Sequence, residues 1–351
     1  MLDSINVRDI TGLAKKLIVP ISVLVEVCYT CNEKCIHCCV DEHKNTGLTL
    51  KQYEILFDQM VSAGTFFVIL TGGDPFTRKD FMDIVRAARK RRISVTIFTN
   101  GTLVTQKDIL EMAVLYVQDV HVSIYSTDEK IHDSITRVPG SFRKSIATIR
   151  SIRAAGIKVR IKCPLMRLNA DEIDNLKEMA ISLGAKIQFT TIITAKNNGD
   201  TSTHNLQMSE QQLLATVNDQ AIIGSADPFV HSRDELECIP CDAIFNGGAI
   251  DPSGNVYPCN QWRISGGNIL KEDFGKIWKD SKVFNILRGI RLKDLKRCQI
   301  CELFDYCARC PGLALLEDGD LCGCSLAAKK VAEARKANGV LPTQRHIFSK
   351  I

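Results

Sequence analysis

The sequence predicts an α/β fold, six strand-helix units in series followed by a cysteine-rich C-terminal region, and three observations lead to it. Apolar runs at residues 21–27, 66–70, 93–99, 117–125, 157–163 and 186–193 are each of strand length and apolar at most positions, the pattern of parallel strands buried on both faces. Stretches of helical periodicity fill the intervals, near 50–63, 80–91, 106–115, 142–155 and 170–183. The last third breaks this rhythm and holds nine of the chain's 15 cysteines. Strand-helix units in series make right-handed crossovers and so build a parallel barrel or a doubly wound sheet. A chain of 351 residues with 45% hydrophobic content can bury a large core and would usually divide into two domains.

Taken in order, the first apolar run leads into Cys31-Asn-Glu-Lys-Cys35-Ile-His-Cys38. Three thiolates at x3 and x2 spacing can bind three irons of a cubane cluster, which normally takes four cysteines, so one iron is left open for a substrate or cofactor. A structural zinc site prefers four ligands in paired C-x2-C knuckles, which this spacing does not match. The second run ends in Thr71-Gly72-Gly73-Asp74-Pro75. Glycines let backbone groups approach a ligand closely, although an ordinary strand-to-helix turn has the same composition. The third run ends in Asn100-Gly101 and the fourth carries Ser123; alone, these read equally as a turn and a satisfied hydroxyl. In KIHDSITRVPGSF, the side chains of His132, Asp133 and Arg137 fit either helix-start and loop polarity or substrate contact. Residues 196–237 are polar, punctuated by Asn197-Asn198-Gly199-Asp200, and read as a bridge containing one helix. Then come Cys238, Cys241, a Gly254-x4-Cys259 element, Cys298-x2-Cys301-x5-Cys307, Cys310, Cys322 and Cys324.

With the triad and the Gly-Gly turn in these positions, the chain resembles the radical S-adenosylmethionine (SAM) superfamily. The resemblance implies a partial (β/α)6 TIM-like barrel over about 20–195, after an N-terminal extension of 1–19, with its cofactor motifs at the C-terminal ends of the strands. It implies that Cys31, Cys35 and Cys38 hold a 4Fe-4S cluster whose open iron chelates the methionyl group of SAM, and that the reduced cluster cleaves SAM to a 5'-deoxyadenosyl radical. Gly72, Gly73 and Asp74 would correspond to the family's glycine-glycine-glutamate turn, with aspartate in place of glutamate, whose backbone groups bind the methionyl amine. Asn100 and Ser123 would contact the ribose or carboxylate of SAM.

The region 238–330, ahead of a tail at 331–351, resembles the SPASM extension of peptide and sulfatase maturases, which binds two auxiliary 4Fe-4S clusters. By that resemblance one cluster takes Cys238, Cys241, Cys259 and Cys310, and the other takes Cys298, Cys301, Cys307 and either Cys322 or Cys324, with Cys322 preferred. The total would be three clusters. The family usually places three residues before the last cysteine of the dense run; here only Ala308-Arg309 precede Cys310. Full four-thiolate ligation makes both clusters electron carriers or staples. Of the remaining cysteines, Cys28 and Cys163 read as buried small hydrophobes, and Cys39 as packing.

An odd number of cysteines, no hydrophobic secretory signal and clustered spacings argue against a disulfide framework and for a reducing cytoplasm. No apolar run approaches the roughly 20 residues that span a bilayer. The net charge of +5 is mild, and the basic run at 86–92 ends a helix, where the dipole favours cations, so no nucleic-acid partner is expected. The resemblance implies hydrogen abstraction followed by a net two-electron oxidation, such as crosslinking of a ribosomally made peptide, with flavodoxin or ferredoxin as electron donor. Sulfatase maturases place an aspartate after the cysteine of the Gly-x4-Cys element; here Asn260 stands there, and a neutral amide cannot act as that base. About 20 residues precede the barrel where many relatives carry a leader-binding domain, so a separate recognition protein, unaided peptide reading or a non-peptide substrate is expected. The alternative substrate is a small molecule, a tetrapyrrole side chain or an aminoglycoside carbon. A non-enzymatic electron carrier is a third class, disfavoured because a carrier has no need of an open iron beside a SAM-binding turn.

Overall fold

The computed structural model describes residues 7–219, 222 and 236–340. Six parallel strands lie side by side in chain order: β1 (Ser22–Cys28), β2 (Phe67–Gly72), β3 (Ser94–Thr99), β4 (Asp119–Ser123), β5 (Lys158–Pro164) and β6 (Lys186–Thr190). Helices α1 (Val7–Leu17), α2 (Leu50–Ser62), α3 (Phe81–Lys90), α4 (Gln106–Val114), α5 (Glu129–Thr136), α6 (Ser141–Ala154) and α7 (Ile173–Ser182) precede and connect them. Helix starts follow from capping chemistry. Thr49 with Gln52, and Thr105 with Asp108, form reciprocal capping boxes that satisfy the first backbone N–H groups of α2 and α4. The helix α5, unanticipated from the sequence, starts at Asp128, whose carboxylate accepts from the N–H groups of Lys130 and Ile131.

Burial alternates along the strands instead of running continuously. Val68, Leu70, Val95, Ile97, Val120, Val122 and Ile161 are fully buried on the face the helices cover. Their neighbours Thr96, Phe98, His121 and Lys162 are half-buried on the other face, where Phe98 stacks on His121 at 4.5 Å and the Lys162 ammonium lies over the Phe98 ring. The expectation of strands buried on both faces is corrected accordingly: the sheet does not close, so one face keeps polar groups.

The sheet ends at β6 on one side and runs past β1 on the other. There β7 (Gly247–Ile250) adds in parallel to β1, followed by antiparallel β8 (Asn255–Tyr257) and β9 (Gly267–Asn268). The cysteine-rich region thus begins as an extension of the barrel sheet. Beyond β9 come short helices, among them Phe274–Asp280 and Pro311–Asp318, and a 13-residue helix, Leu326–Asn338, that packs into the core through Val331 and Ala334. Trp278 anchors this part, fully buried and donating Nε1–H to the Ile18 carbonyl. The expected bridge contains a 3-10 turn, Thr201–Leu206, and α8 (Glu210–Thr216); its remainder at 220–221 and 223–235 lies outside the described residues, as do 1–6 and 341–351.

The basic run is engaged locally. Arg86 pairs with Asp83 and Glu111, Arg91 reaches Asp58 at 2.6 Å, and Arg89 donates to the carbonyls of Ile93 and Leu115.

Candidate functional site

Every motif singled out in the barrel sits at the C-terminal rim of the parallel strands. The triad follows β1, Gly72 ends β2, Asn100 follows β3 and Ser123 ends β4. Parallel strands bring their C-terminal ends to one edge, so segments dozens of residues apart converge.

The triad loop is braced at both ends. At its start Gly73 N–H donates to the Cys28 carbonyl at 2.8 Å and Asp74 N–H to the Thr30 carbonyl at 2.9 Å. At its far end Arg78 donates to the carbonyls of Val27 and Leu48, at 3.0 and 2.9 Å, and to Asp80. The two glycines are explained by this bracing. Gly72 has φ +146°, and a Cβ there would lie 2.0 Å from the Cys28 oxygen; one on Gly73 would lie 2.3 Å from the Thr30 oxygen. Close approach is required by the chain's own backbone, whereas the sequence reading assigned it to a ligand.

Asp74 is fully buried and its carboxylate faces the protein. It accepts from the Thr99 hydroxyl and the Asn100 N–H, both at 2.7 Å, and from the Phe76 N–H at 2.9 Å. It therefore ties the end of β2 to the end of β3. Asn100 is buried and turns its amide nitrogen to Asn32 at 3.0 Å and toward Cys31 Sγ at 4.0 Å. Ser123 hydrogen-bonds Tyr125, whose hydroxyl lies 3.9 Å from Cys35 Sγ.

The three thiols share one electrostatic neighbourhood. Burial pushes Cys31 up to about 12, with Asp74, Glu33 and Cys38 adding to it, and raises Cys35 and Cys38 as well. Cys35 Sγ contacts Glu33 at 3.4 Å and Cys38 Sγ contacts His43 at 3.5 Å. Burial holds the Glu33 carboxyl near 7 and pushes His37 down to about 4. Neither Glu33 Oε1 nor His37 Nδ1 has a hydrogen-bond partner. Buried thiols of this kind ionise only against a cation, and a cluster supplies one while releasing their protons.

In the C-terminal region the cysteines fall into two sets. Cys241 and Cys259 are raised first by burial and then by each other's side chain or by Cys310, which groups these three. Cys307 is pushed up to about 12 by burial and then by Cys298, Cys324 and Cys301. Cys322 is raised by burial and by Asp320 and Asp294. After burial, Cys324 is among the groups that raise Cys298 and Cys307, which favours it as the fourth member of that set over Cys322, the one of the two that the sequence reading preferred. Cys238 lies on the loop just before Cys241, its carbonyl accepting from Leu292 N–H. Three buried donors in this region have no hydrogen-bond partner: Trp262 Nε1, Arg263 Nε and Arg309 Nη1. Against the burial that raises them, Arg263 and Arg309 draw down the thiols of Cys259 and Cys298, and cationic donors beside clustered cysteines fit the anionic, cysteine-ligated chemistry of iron-sulfur clusters.

A buried ion pair joins the two regions. Arg263 grips Glu26 of β1 with Nη1 to Oε2 at 2.9 Å and Nη2 to Oε1 at 2.8 Å, and the Tyr29 hydroxyl donates to the same carboxylate at 3.0 Å. Beside the pair lies a cavity of about 290 Å³ lined by Tyr29, Val40, Asp41, Asn197, Tyr257 and Arg263, among others. Sequence reasoning missed this pair, since nothing local links residues 26 and 263. The remaining candidates are engaged locally: His132 Nδ1 accepts from the Tyr125 N–H at 3.2 Å, and Asp133, which with Arg137 lines a surface cavity, accepts from the Ser141 hydroxyl and the Phe142 N–H at the start of α6. Arg137 ends α5 in the left-handed region. Cys28 and Cys163 are buried as expected, and Cys39 is half-buried.

Comparison with known proteins matches residues 25–180 to the Radical SAM superfamily and residues 241–311 to SPASM, an iron-sulfur cluster-binding domain. The chain is 28% identical over 319 residues to an AdoMet-dependent heme synthase of Methanosarcina barkeri, covering 83% of this chain and 90% of that protein. It is 26% identical to the mycofactocin maturase MftC of Mycobacterium tuberculosis, covering 86% of this chain and 80% of that protein. Among solved structures, Streptococcus suis SuiB bound to its precursor peptide SuiA superposes with a TM-score of 0.68 at 18% identity, over 90% of this chain and 80% of that one.

Proposed function

We propose, from the premise that the chain belongs to the radical SAM superfamily and carries a SPASM domain, that this enzyme oxidatively modifies a ribosomally synthesised peptide, for example by crosslinking it. Cys31, Cys35 and Cys38 would hold the SAM-binding 4Fe-4S cluster, and Asn100, Ser123 and the backbone of Gly72, Gly73 and Asp74 would contact SAM. When bound and reduced by a flavodoxin or ferredoxin, such a cluster would supply the electron that cleaves SAM to the hydrogen-abstracting 5'-deoxyadenosyl radical. Asp74 acts one step back, fixing the ends of β2 and β3 so that Asn100 stays against Cys31. The cavity beside Tyr29, Asp41, Tyr257 and Arg263 opens between the triad loop and the Gly254-x4-Cys259 element, the position a substrate needs to meet both.

Two auxiliary clusters would be held by Cys238, Cys241, Cys259 and Cys310, and by Cys298, Cys301, Cys307 and Cys324. The observation that carries the whole reading is the convergence of the triad, Asn100 and the Gly72-Gly73 turn on one rim. The peptide reading is supported by the likeness to a maturase; the likeness to a heme synthase supports the second reading, oxidation of a small molecule such as a tetrapyrrole.

The test is anaerobic reconstitution, reduction with dithionite, addition of SAM, and measurement of 5'-deoxyadenosine alongside iron. About twelve irons per chain, from three cubanes, with deoxyadenosine formed, is the expected result. The Cys35→Ala variant should make none while keeping about eight irons, and Cys324→Ser should lose about four where Cys322→Ser loses none. Deoxyadenosine from Cys35→Ala would sink the triad assignment. Turnover of a tetrapyrrole and of no candidate precursor peptide would select the second reading.

A further inference from the structure

Arg309 stands at the junction of the two C-terminal cysteine sets. The shortened spacing Cys307-Ala308-Arg309-Cys310 places it on the peptide that leaves one set at Cys307 and enters the other at Cys310. Its Nε and Nη2 donate to the Gly323 carbonyl at 3.1 and 3.0 Å, and Nη2 also reaches the Leu321 carbonyl. Those contacts clamp the turn that carries Cys322 and Cys324. The third nitrogen, Nη1, is buried without a hydrogen-bond partner. None of the guanidinium's hydrogen-bond acceptors among the described residues is a carboxylate. Its charge draws down the thiols of Cys298, Cys310, Cys322 and Cys324, each raised in the first place by burial. A buried N–H without an acceptor is costly, and the sulfurs of an anionic cluster are acceptors that the surrounding cysteines could supply.

We propose that Arg309 is a positioning residue for the auxiliary centres: Nε and Nη2 hold the 321–323 turn, while Nη1 donates to the sulfur shell of the cluster on Cys298, Cys301, Cys307 and Cys324 and raises its reduction potential. This rests on the reading that those cysteines hold a cluster. Hydrogen bonds to cluster sulfurs and nearby positive charge both favour the reduced, more negative state, which gives the direction of the shift.

The experiment compares the full chain with Arg309→Gln and Arg309→Lys, all reconstituted anaerobically, by iron content and by redox titration followed with electron paramagnetic resonance. The signal that disappears in Cys298→Ala identifies the cluster. Arg309→Gln should keep about twelve irons and titrate at a more negative potential, while Arg309→Lys, which keeps the charge, should lie nearer the wild type. Full iron with an unchanged potential in Arg309→Gln overturns the inference. If Arg309→Gln fails to assemble the cluster, Arg309→Lys decides: assembly near the wild-type potential supports the charge assignment, and failure there too reduces Arg309 to a structural clamp and overturns it. A wild-type protein with only about four irons and no signal lost in Cys298→Ala would instead remove the cluster reading and the inference with it.

Discussion

The two cysteine-bearing regions are built by opposite means. At the barrel rim the thiols stand on a scaffold closed by the protein itself: Asp74 joins two strand ends, Arg78 pins both sides of the loop, and the buried strands below supply the core. In the C-terminal region Phe274, Trp278 and Phe284, with Val331 of the helix Leu326–Asn338, join the core of the barrel, but the cysteines themselves stand on turns and short helices, and Trp262 Nε1 and Arg309 Nη1 are buried without partners. The first region seats its cysteines on regular strand ends; the second seats them on irregular turns. Irregular turns carry little apolar area of their own, and a metal cross-link can fix them.

The largest effect should come from the point where the two regions meet. Arg263→Ala leaves Glu26 buried and unpaired and should destabilise the protein by about 3–5 kcal/mol, read by urea unfolding of the reconstituted enzyme. The double replacement Glu26→Gln with Arg263→Met should cost much less, because no uncompensated charge remains. Equal losses in the two variants would mean that shape at this junction matters more than charge.

A smaller effect, confined to the first region, is expected from Gly72→Ala. The added methyl meets the Cys28 carbonyl at 2.0 Å and the backbone is held at φ +146°, so a cost of roughly 3 kcal/mol follows from overpacking and strain. Deoxyadenosine formation should fall with it, whereas the iron of the C-terminal clusters should be retained. Loss of all iron would show that the regions are not independently built.

Acid should sharpen the contrast further. His132 is buried against Tyr125 and held down to about 4 by desolvation, against about 6.5 in the unfolded chain. Between these values the unfolded chain binds the extra proton, so stability falls as the pH is lowered from about 6.5 to 4, by roughly 2–3 kcal/mol. His132→Gln should lack that segment of the pH–stability curve, measured by denaturant midpoints across the range. A curve with the same slope in both proteins would assign the acid sensitivity to other groups.

The strand-helix series was legible because each strand is a contiguous apolar run and each crossover helix has its own periodicity and caps; only α5 and the extension of the sheet by β7 escaped. β7 is four residues with two glycines, Gly247-Gly248-Ala249-Ile250, too short and plain to announce a strand until β1 offers it an edge. The triad and the SPASM spacing were legible for the same reason, since metal ligation on a loop leaves its mark in local spacing.

What local spacing could not carry was decided by tertiary structure. The carboxylate of Asp74 turned inward to join two strand ends, a partnership that the turn's own sequence does not announce. Cys324 acts on the thiols of Cys298 and Cys307 while Cys322 is influenced by Asp320 and Asp294, a difference set by the path of one turn and invisible in the count of residues between them. Glu26 met Arg263 only because β7 lies beside β1 and brings the Gly-x4-Cys element to the rim. The sequence by itself determined the fold class, the cysteine sets and the chemistry they permit, because those are written in short-range pattern. Partner choice among distant side chains is a property of the packed chain, and only the packed chain resolved it.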